Sequence, residues 1–359
     1  MEGRPDDGRF AEADGVVARA MAERRFPGAV LVVGEAAGCL HIRPFGSLTY
    51  EAGSPRVDAS TLYDLASQTK VMATTTVAMV LEEEGRLDLG APVSRLVPAF
   101  RGGEKDRVTL ENLLAHASGL PAWAPLFRQA KGREAVLAAA AAVPLEAAPG
   151  TRSLYSDLGF ILLGAALETA TGERLDVLTD MRVLQPLGMS ETRFNPGAEW
   201  IPRIAPTEHD AWRGRMLQGE VHDENAFAMG GVAGHSGLFG TAPDLVRFAA
   251  MMLGGGQLEG RRLVSASAVE RFTRRCPVPG SSRALGWNTP SPGSSAGTLL
   301  SPRSFGHTGF AGTSLWVDPD RRLFVALLTN RVHPSREGPG IQDVRAAVAD
   351  AVVRGFGPC

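Results

Sequence analysis

Cysteine, lysine and long apolar runs are all scarce in this sequence of 359 residues. The three cysteines, Cys39, Cys276 and Cys359, are widely spaced and form no CxxC pair, which argues against a disulfide framework and against a thiolate metal site. Apolar stretches such as residues 29–33 and 136–143 are too short for the roughly 20 residues of a membrane-spanning helix. We therefore expect no membrane span.

An excess of charge of either sign is also missing. The chain has 37 basic and 39 acidic side chains, a net charge of -2, so its charge predicts neither nucleic acid nor an anionic membrane as a partner. Residues 1–7 are polar, and no apolar stretch of export-signal length follows them. This predicts a cytoplasmic protein, or a periplasmic or secreted one if a leader has been removed.

What the chain does contain is the composition of a globular protein, with 44% hydrophobic and 21% charged residues. Its length predicts one large mixed domain or two closely packed ones. Strand-like apolar runs lie near both ends of the chain, and each end also has an amphipathic helical pattern; the strands are at 29–33, 41–48, 314–317 and 323–329, the helices at 10–25 and 341–356.

The middle of the chain has helical periodicity in six segments, at 72–84, 109–115, 133–142, 158–171, 175–185 and 242–253. Residues 277–302 are rich in Pro, Ser and Gly and predict a long loop. We predict an α/β (α+β) fold. An antiparallel sheet flanked by helices is formed by residues 1–65 plus 277–359, and an inserted, mostly helical domain by residues 66–276.

Lys70, one of only three lysines, lies three residues after Ser67. At the start of a helix this spacing places the hydroxyl and the amine on one face. A neutral amine there can take the proton of a serine nucleophile. Lowering the pKa of a lysine by burial from about 10.4 to about 8 raises its neutral fraction at pH 7 from roughly one in 2500 to about one in ten. We predict Ser67 as nucleophile and Lys70 as base; the alternative is a chance pair on an exposed turn.

Two further segments strengthen this interpretation. Tyr155 precedes a helical run, where its phenol can relay a proton between Ser67, Lys70 and a leaving group. The segment 307–309, His-Thr-Gly, is predicted to begin a late edge strand, which can offer backbone N–H groups and a hydroxyl to a substrate.

In this order, the segments LYDLASQTK (62–70), LLAHASGLP (113–121), YSDLGF (155–160) and GHTGFAG (306–312) resemble the serine penicillin-recognising enzymes. That group contains class C β-lactamases, low-molecular-weight penicillin-binding proteins with their DD-peptidases, and family VIII-type esterases. The resemblance covers nearly the whole chain. It implies a five-stranded antiparallel sheet, an active site between this sheet and the inserted helical domain, and no cofactor.

The resemblance also implies a role for individual residues. Ser67 would be acylated, Lys70 would be its base and Tyr155 the second proton-transfer group. The backbone N–H groups of Ser67 and Phe310 would form the oxyanion hole. Substrate binding is implied for Asp157, His307, Thr308 and Gly309.

Two positions depart from the group's commonest pattern. Asp157 stands where asparagine is usual, so an amide donor is replaced by an acceptor that can repel an acidic substrate unless arginine or Lys70 neutralises it. His307 stands where β-lactamases usually have lysine, and we expect its charge to depend on pH. Both departures favour peptidase-like or esterase-like activity over efficient β-lactam hydrolysis.

The other histidines have a plainer interpretation. A group of histidines and carboxylates between residues 208 and 235 lacks HExxH or any other ligand spacing, so we expect these side chains to order a glycine-rich loop and to bind no metal. His116 is interpreted as a turn-stabilising residue.

Three functions follow from these observations. The first is a serine hydrolase that forms an acyl-enzyme on an amide, peptide or ester. The second is a class C-type β-lactamase. The third is a binding or sensor protein that has lost turnover, and the intact set of Ser67, Lys70 and Tyr155 argues against it. The sequence leaves the substrate and the oligomeric state open.

Overall fold

A computed structural model describes residues 8–357, so Cys359 and the polar residues 1–7 lie outside the described range. The helices of this range are α1 (Ala11–Ala22), α2 (Thr76–Glu83), α3 (Leu110–Leu114), α4 (Arg133–Ala142), α5 (Asp157–Thr171), α6 (Leu175–Thr179), α7 (Gln185–Leu187), α8 (Glu224–Ala228), α9 (Ala242–Leu253), α10 (Ala266–Thr273) and α11 (Gln342–Phe356). Shorter 3₁₀ turns and two π-helical turns lie between them; the π-helical turns are at Lys70–Thr75 and Asp180–Leu184.

The strands form one large sheet and several small ones. They are β1 (Gly28–Glu35), β2 (Gly38–Gly46), β3 (Tyr63–Asp64), β4 (Arg193–Phe194), β5 (His209–Asp210), β6 (Arg215–Met216), β7 (Leu238–Gly240), β8 (Gln257–Leu258), β9 (Arg261–Arg262), β10 (Phe305–Thr308), β11 (Ser314–Asp318) and β12 (Leu323–Thr329). The large sheet has the order β10-β11-β12-β1-β2 and antiparallel pairing throughout. A three-stranded sheet has the order β3-β7-β4.

The central strand β1 is buried on both faces, which explains its continuous apolar sequence. Because side chains alternate along a strand, Val30 and Val32 belong to one hydrophobic core while Leu31 and Val33 belong to another. Helices α1 and α11 cover the second face, and α9 contacts the strands from the first. Both faces of the sheet are thus shielded from water.

This architecture confirms the predicted fold: strands from the two ends of the chain pair in a five-stranded antiparallel sheet flanked by helices. The helix predicted at 72–84 differs in its start, because a π-helical turn over Lys70–Thr75 precedes α2. Helices α8 and α10 were not predicted. The division into residues 1–65 plus 277–359 and residues 66–276 stays a proposal.

Two further observations concern the sequence predictions. The thiols of Cys39 and Cys276 are free. Among residues 8–357, the helices are all too short or too polar to span a bilayer.

Candidate active site

Ser67 lies on a tight turn directly after β3. The turn is a 3₁₀ helix over Ala66–Gln68, and Ala66 has a φ of 46°, a left-handed conformation that costs energy for a residue with a side chain. Asp64 holds this conformation, since its Oδ1 accepts a hydrogen bond from the Ala66 N–H at 2.8 Å. The Ser67 side chain is half-buried and lines a cleft of about 600 Å³, a volume suited to a small ligand.

Lys70 begins the π-helical turn that follows, and its ammonium contacts the serine as the spacing predicted. Lys70 Nζ donates a hydrogen bond to Ser67 Oγ at 2.9 Å and a second to the His235 carbonyl at 3.1 Å. Its third contact is an ion pair with Asp157 Oδ1 at 2.7 Å. π-Helical turns are rare and are frequent at functional sites.

The electrostatic surroundings of Lys70 contradict one sequence expectation. The side chain is fully buried, and burial alone acts to lower the pKa of Lys70. The negative charge of Asp157 and the contact with Tyr155 outweigh burial, however, so the pKa of Lys70 is raised. The expected lowering of this pKa is therefore wrong in direction, because the sequence does not show that Asp157 pairs with Lys70.

Tyr155 completes the group around the nucleophile. Lys70 Nζ lies 4.8 Å from the centre of the Tyr155 ring. The enclosed position of the Tyr155 hydroxyl raises its pKa, although contacts with Lys70 and Ser67 act to lower it. In the free protein Tyr155 therefore holds its proton at neutral pH.

His116 packs against the Tyr155 ring and binds the neighbouring backbone, which agrees with its predicted role in stabilising a turn. His116 Nδ1 accepts a hydrogen bond from the Ser156 N–H at 3.0 Å, and the His116 and Tyr155 ring centres are 4.6 Å apart. The same Ser156 caps α5, since its Oγ accepts the Gly159 N–H at 3.2 Å. Burial lowers the pKa of His116, so this ring is neutral.

The His-Thr-Gly segment lies on the opposite wall of the cleft. It was predicted to begin a strand, and this is wrong: β10 runs from Phe305 to Thr308, so the segment ends the strand, because the chain turns at Gly309 to pair β10 with β11. The prediction of an edge strand is confirmed by the sheet order. Thr308 and Gly309 line the cleft together with Ser67.

His307 does not carry the pH-dependent charge that we expected. Its Nδ1 donates to the Thr308 carbonyl at 2.8 Å. Burial and the nearby Lys70 lower the pKa of His307 to about 3, so its imidazole is uncharged at neutral pH. The position that usually holds a lysine in β-lactamases is therefore neutral here.

Two residues that line this cleft have backbone N–H groups without a hydrogen-bond partner in the described part of the chain. The N–H groups of Ser67 and Phe310 find no acceptor among residues 8–357, and both residues line the cleft. Two backbone donors without a protein acceptor in this range, beside one hydroxyl, are available to a ligand oxygen.

Four arginines that line the cleft were not identified from the sequence. They are Arg283, Arg331, Arg336 and Arg345, and the first comes from the predicted loop 277–302. Nothing in the sequence distinguishes them from the other arginines of the chain. Of the tryptophans, Trp123 lines the cleft, whereas Trp200 and Trp212 are not part of its lining.

Histidines and carboxylates between residues 208 and 235 are joined by hydrogen bonds. His222 Nε2 lies 2.7 Å from Glu208 Oε2, and His235 Nε2 lies 2.8 Å from Asp223 Oδ1. In the part of the chain that the structure describes, no group of three such side chains is placed to hold a metal ion. The glycine-rich loop is held by hydrogen bonds, including one from Thr74 Oγ1 to the Gly234 carbonyl at 2.7 Å.

Comparisons with known proteins identify relatives of this chain. A protein of Salmonella paratyphi B named "Putative D-alanyl-D-alanine carboxypeptidase" is 33% identical over 333 residues, which cover 84% of this chain and 76% of that protein. A penicillin-binding protein homologue from Caulobacter crescentus has a similar fold, with a TM-score of 0.78 at 22% identity over 99% of both chains. A family VIII carboxylesterase superposes with a TM-score of 0.77 at 23% identity, again over 99% of both chains.

An octameric penicillin-binding protein homologue from Pyrococcus abyssi has a TM-score of 0.75 at 24% identity, covering 96% of this chain and 77% of that one. These similarities establish the fold. The sequence pattern of the beta-lactamase family matches residues 13–350. The protein therefore belongs to the beta-lactamase family.

Proposed function

We propose that this protein is a serine hydrolase that forms an acyl-enzyme on Ser67. The observation that carries the proposal is the 2.9 Å contact between Lys70 Nζ and Ser67 Oγ beside two unpaired backbone N–H groups in one cleft. A nucleophile next to an amine, with donors ready for the developing oxyanion, is the arrangement that acyl transfer requires.

The proposed reaction has two halves. In the first, Ser67 Oγ attacks the substrate carbonyl and its proton moves to neutral Lys70, while the N–H groups of Ser67 and Phe310 bind the oxyanion. Tyr155 then protonates the leaving nitrogen or oxygen, and Lys70 returns a proton to Tyr155. In the second half, a water molecule gives a proton to the same pair and attacks the ester carbonyl; the pair then passes that proton to Ser67 Oγ as the ester bond breaks, which releases the acid and regenerates Ser67.

The ion pair between Lys70 and Asp157 determines how the rate of acylation depends on pH. Lys70 accepts a proton only after losing its own, and Asp157 raises the pKa of Lys70. At the ordinary pKa of about 10.4, roughly one lysine in 2500 is neutral at pH 7, so an even smaller fraction of Lys70 is neutral. We therefore expect acylation to become faster as the pH rises through the neutral and alkaline range.

The charges of the cleft favour a substrate with a free carboxylate. Asp157 is paired with Lys70, and Glu224 is paired with Arg336 at 2.8 Å. Arg283, by contrast, has no carboxylate partner among residues 8–357; its guanidinium lies 4.8 Å from the Tyr155 ring centre and donates to Asn288 Oδ1. An unpaired guanidinium beside the proton-transfer group fits a carboxylate on the leaving group.

This charge distribution and the name of the Salmonella relative support a peptidase that releases a C-terminal amino acid, of the D-alanyl-D-alanine carboxypeptidase type. The likeness in fold to a family VIII carboxylesterase makes ester hydrolysis the second candidate. The neutral His307 argues against an efficient β-lactamase, because a fixed positive charge is missing from that position.

A substrate panel tests the proposal. Wild type and Ser67→Ala are assayed on a peptide ending in D-Ala-D-Ala, on the same peptide with an amidated C-terminus, on p-nitrophenyl acetate and on a chromogenic cephalosporin. We expect wild type to cleave the free peptide fastest and Ser67→Ala to cleave none. Equal rates on the free and the amidated peptide would contradict the role of Arg283, and equal activity of Ser67→Ala would contradict the nucleophile. Binding of the peptide without turnover would favour the sensor alternative.

A further inference from the structure

The turn between β10 and β11, residues 309–313, carries the Phe310 N–H of the proposed oxyanion hole. Its carbonyl groups are held by side chains of the C-terminal segment. Thr329 Oγ1 donates to the Gly312 carbonyl and Arg331 Nε to the Phe310 carbonyl, both at 2.9 Å. Arg345 Nη2 donates to the carbonyls of Gly309 and Thr313 at 2.8 and 2.9 Å.

Arg345 is in an unusual position for a cation. It is 9% exposed and lies in the first turn of α11, where the helix dipole disfavours positive charge. Among residues 8–357 it has no carboxylate partner, and its Nε makes no hydrogen bond. Burial lowers the pKa of Arg345 to about 9, which leaves it charged at neutral pH. Burying a cation without a counter-ion lowers the stability of the fold. We therefore ask what the contacts of Arg345 with the turn contribute to the site.

The two ends of one peptide group connect Arg345 to the cleft. The Gly309 carbonyl, which accepts from Arg345, is joined through the amide bond to the Phe310 nitrogen. A cation bonded to the oxygen of an amide draws electron density from its nitrogen, so the N–H at the other end becomes a stronger donor. Arg331 bonds to the Phe310 carbonyl instead, which belongs to the following peptide group.

We propose that Arg345 is a positioning residue that fixes and polarises the Gly309–Phe310 peptide, so that the Phe310 N–H stabilises the oxyanion formed during acylation of Ser67. This inference rests on the proposed function, since the oxyanion forms only if Ser67 attacks a carbonyl. Arg345 acts through the peptide and does not bind the substrate in its ground state.

Arg345→Gln tests the proposal, because glutamine keeps a donor but removes the charge. Acylation by a p-nitrophenyl ester and inhibition by a phenylboronic acid are measured on the variant; the boronic acid adds to Ser67 and forms a tetrahedral anion. We expect kcat and boronate affinity to fall together by about 10- to 100-fold, with KM within about twofold. Complete loss of an oxyanion donor costs roughly 10²- to 10³-fold. Arg345→Lys is expected to regain part of both losses.

Arg331→Gln is the matched control, since it removes the same charge from the same turn but from the next peptide group. We expect its losses in kcat and boronate affinity to be several-fold smaller. Equal losses in the two variants would show that only the net charge matters and would overturn the proposal. A raised KM with unchanged kcat and boronate affinity would overturn it too, because Arg345 would then bind substrate directly.

The outcomes also separate this inference from the proposed function. If wild type is neither acylated at Ser67 nor inhibited by the boronic acid, the proposed function itself is contradicted. If wild type is active and Arg345→Gln matches it in both measurements, the inference on Arg345 alone is contradicted. Should thermal unfolding show that Arg345→Gln is unfolded, Arg345→Lys tests the positioning role instead, because it keeps the charge but replaces the guanidinium. Its kcat and boronate affinity are expected to fall by equal factors, and wild-type values of both would contradict the inference.

Discussion

Replacing Asp157 with asparagine perturbs the ion pair that controls Lys70. Two unit charges 2.7 Å apart attract each other by about 6 kcal/mol at an effective dielectric constant of about 20. Burial of Lys70 opposes this attraction with a desolvation penalty of several kcal/mol. The raised pKa of Lys70 shows that the attraction prevails. In Asp157→Asn burial acts unopposed by that charge, so the pKa of Lys70 falls and its neutral form becomes more abundant at neutral pH.

The assay is the pH dependence of kcat/KM with p-nitrophenyl acetate between pH 6 and pH 10. Each 1.36 kcal/mol corresponds to a tenfold change, so we expect the ratio of kcat/KM at pH 7 to that at pH 10 to rise at least tenfold in Asp157→Asn. An uncharged ester is used, because its binding does not depend on the charge of residue 157.

Asp244→Asn is a matched control, since Asp244 is a buried carboxylate outside the cleft that accepts hydrogen bonds from the Glu191 N–H and from Thr192. Its pH profile is expected to keep the wild-type shape. The reasoning would be refuted if kcat/KM of Asp157→Asn were lower than that of wild type by the same factor at every pH, with no shift of the profile toward low pH. That result would favour Asp157 itself as the proton acceptor.

Two other predictions concern single groups of the site. Lys70→Arg keeps the positive charge but cannot act as a base, so we expect kcat to fall by at least 10²-fold; a rate near that of wild type would rule out Lys70 as the base. For His307, whose pKa of about 3 keeps it neutral above about pH 4, we expect the KM for a peptide with a free carboxylate to be the same at pH 5 and pH 8 in wild type and in His307→Gln. A KM that decreases toward pH 5 in wild type alone would show that His307 becomes charged.

The sequence predicted those features of the fold and the site that depend on residues close together in the chain. The contact between Ser67 and Lys70 follows from three-residue spacing, which brings side chains together in both 3₁₀ and α-helical turns. The terminal strands could be predicted because β1 and β12 are uniformly apolar and are therefore buried on both faces. The π-helical turn at Lys70–Thr75 could not, since apolar periodicity does not distinguish it from an α-helix.

The features of the site that the sequence did not predict depend on contacts between segments that are distant in the sequence. The sign of the Lys70 pKa shift depends on Asp157, which is far away in the sequence, and burial alone suggests the opposite sign. His307 looked titratable because its enclosure beside Lys70 arises only in the folded sheet. Arg345 resembles any solvent-facing arginine of an amphipathic helix, and only the position of α11 against the turn at 309–313 buries it.

The most direct test of the account is the site of covalent labelling. Wild type and Ser67→Ala are incubated with a fluorophosphonate, and intact mass and peptide mapping locate the adduct. The account predicts one adduct per chain in wild type, on the peptide that contains Ser67, and none in Ser67→Ala. An adduct on any other residue, or equal labelling of the two proteins, would contradict the assignment of Ser67 as the nucleophile.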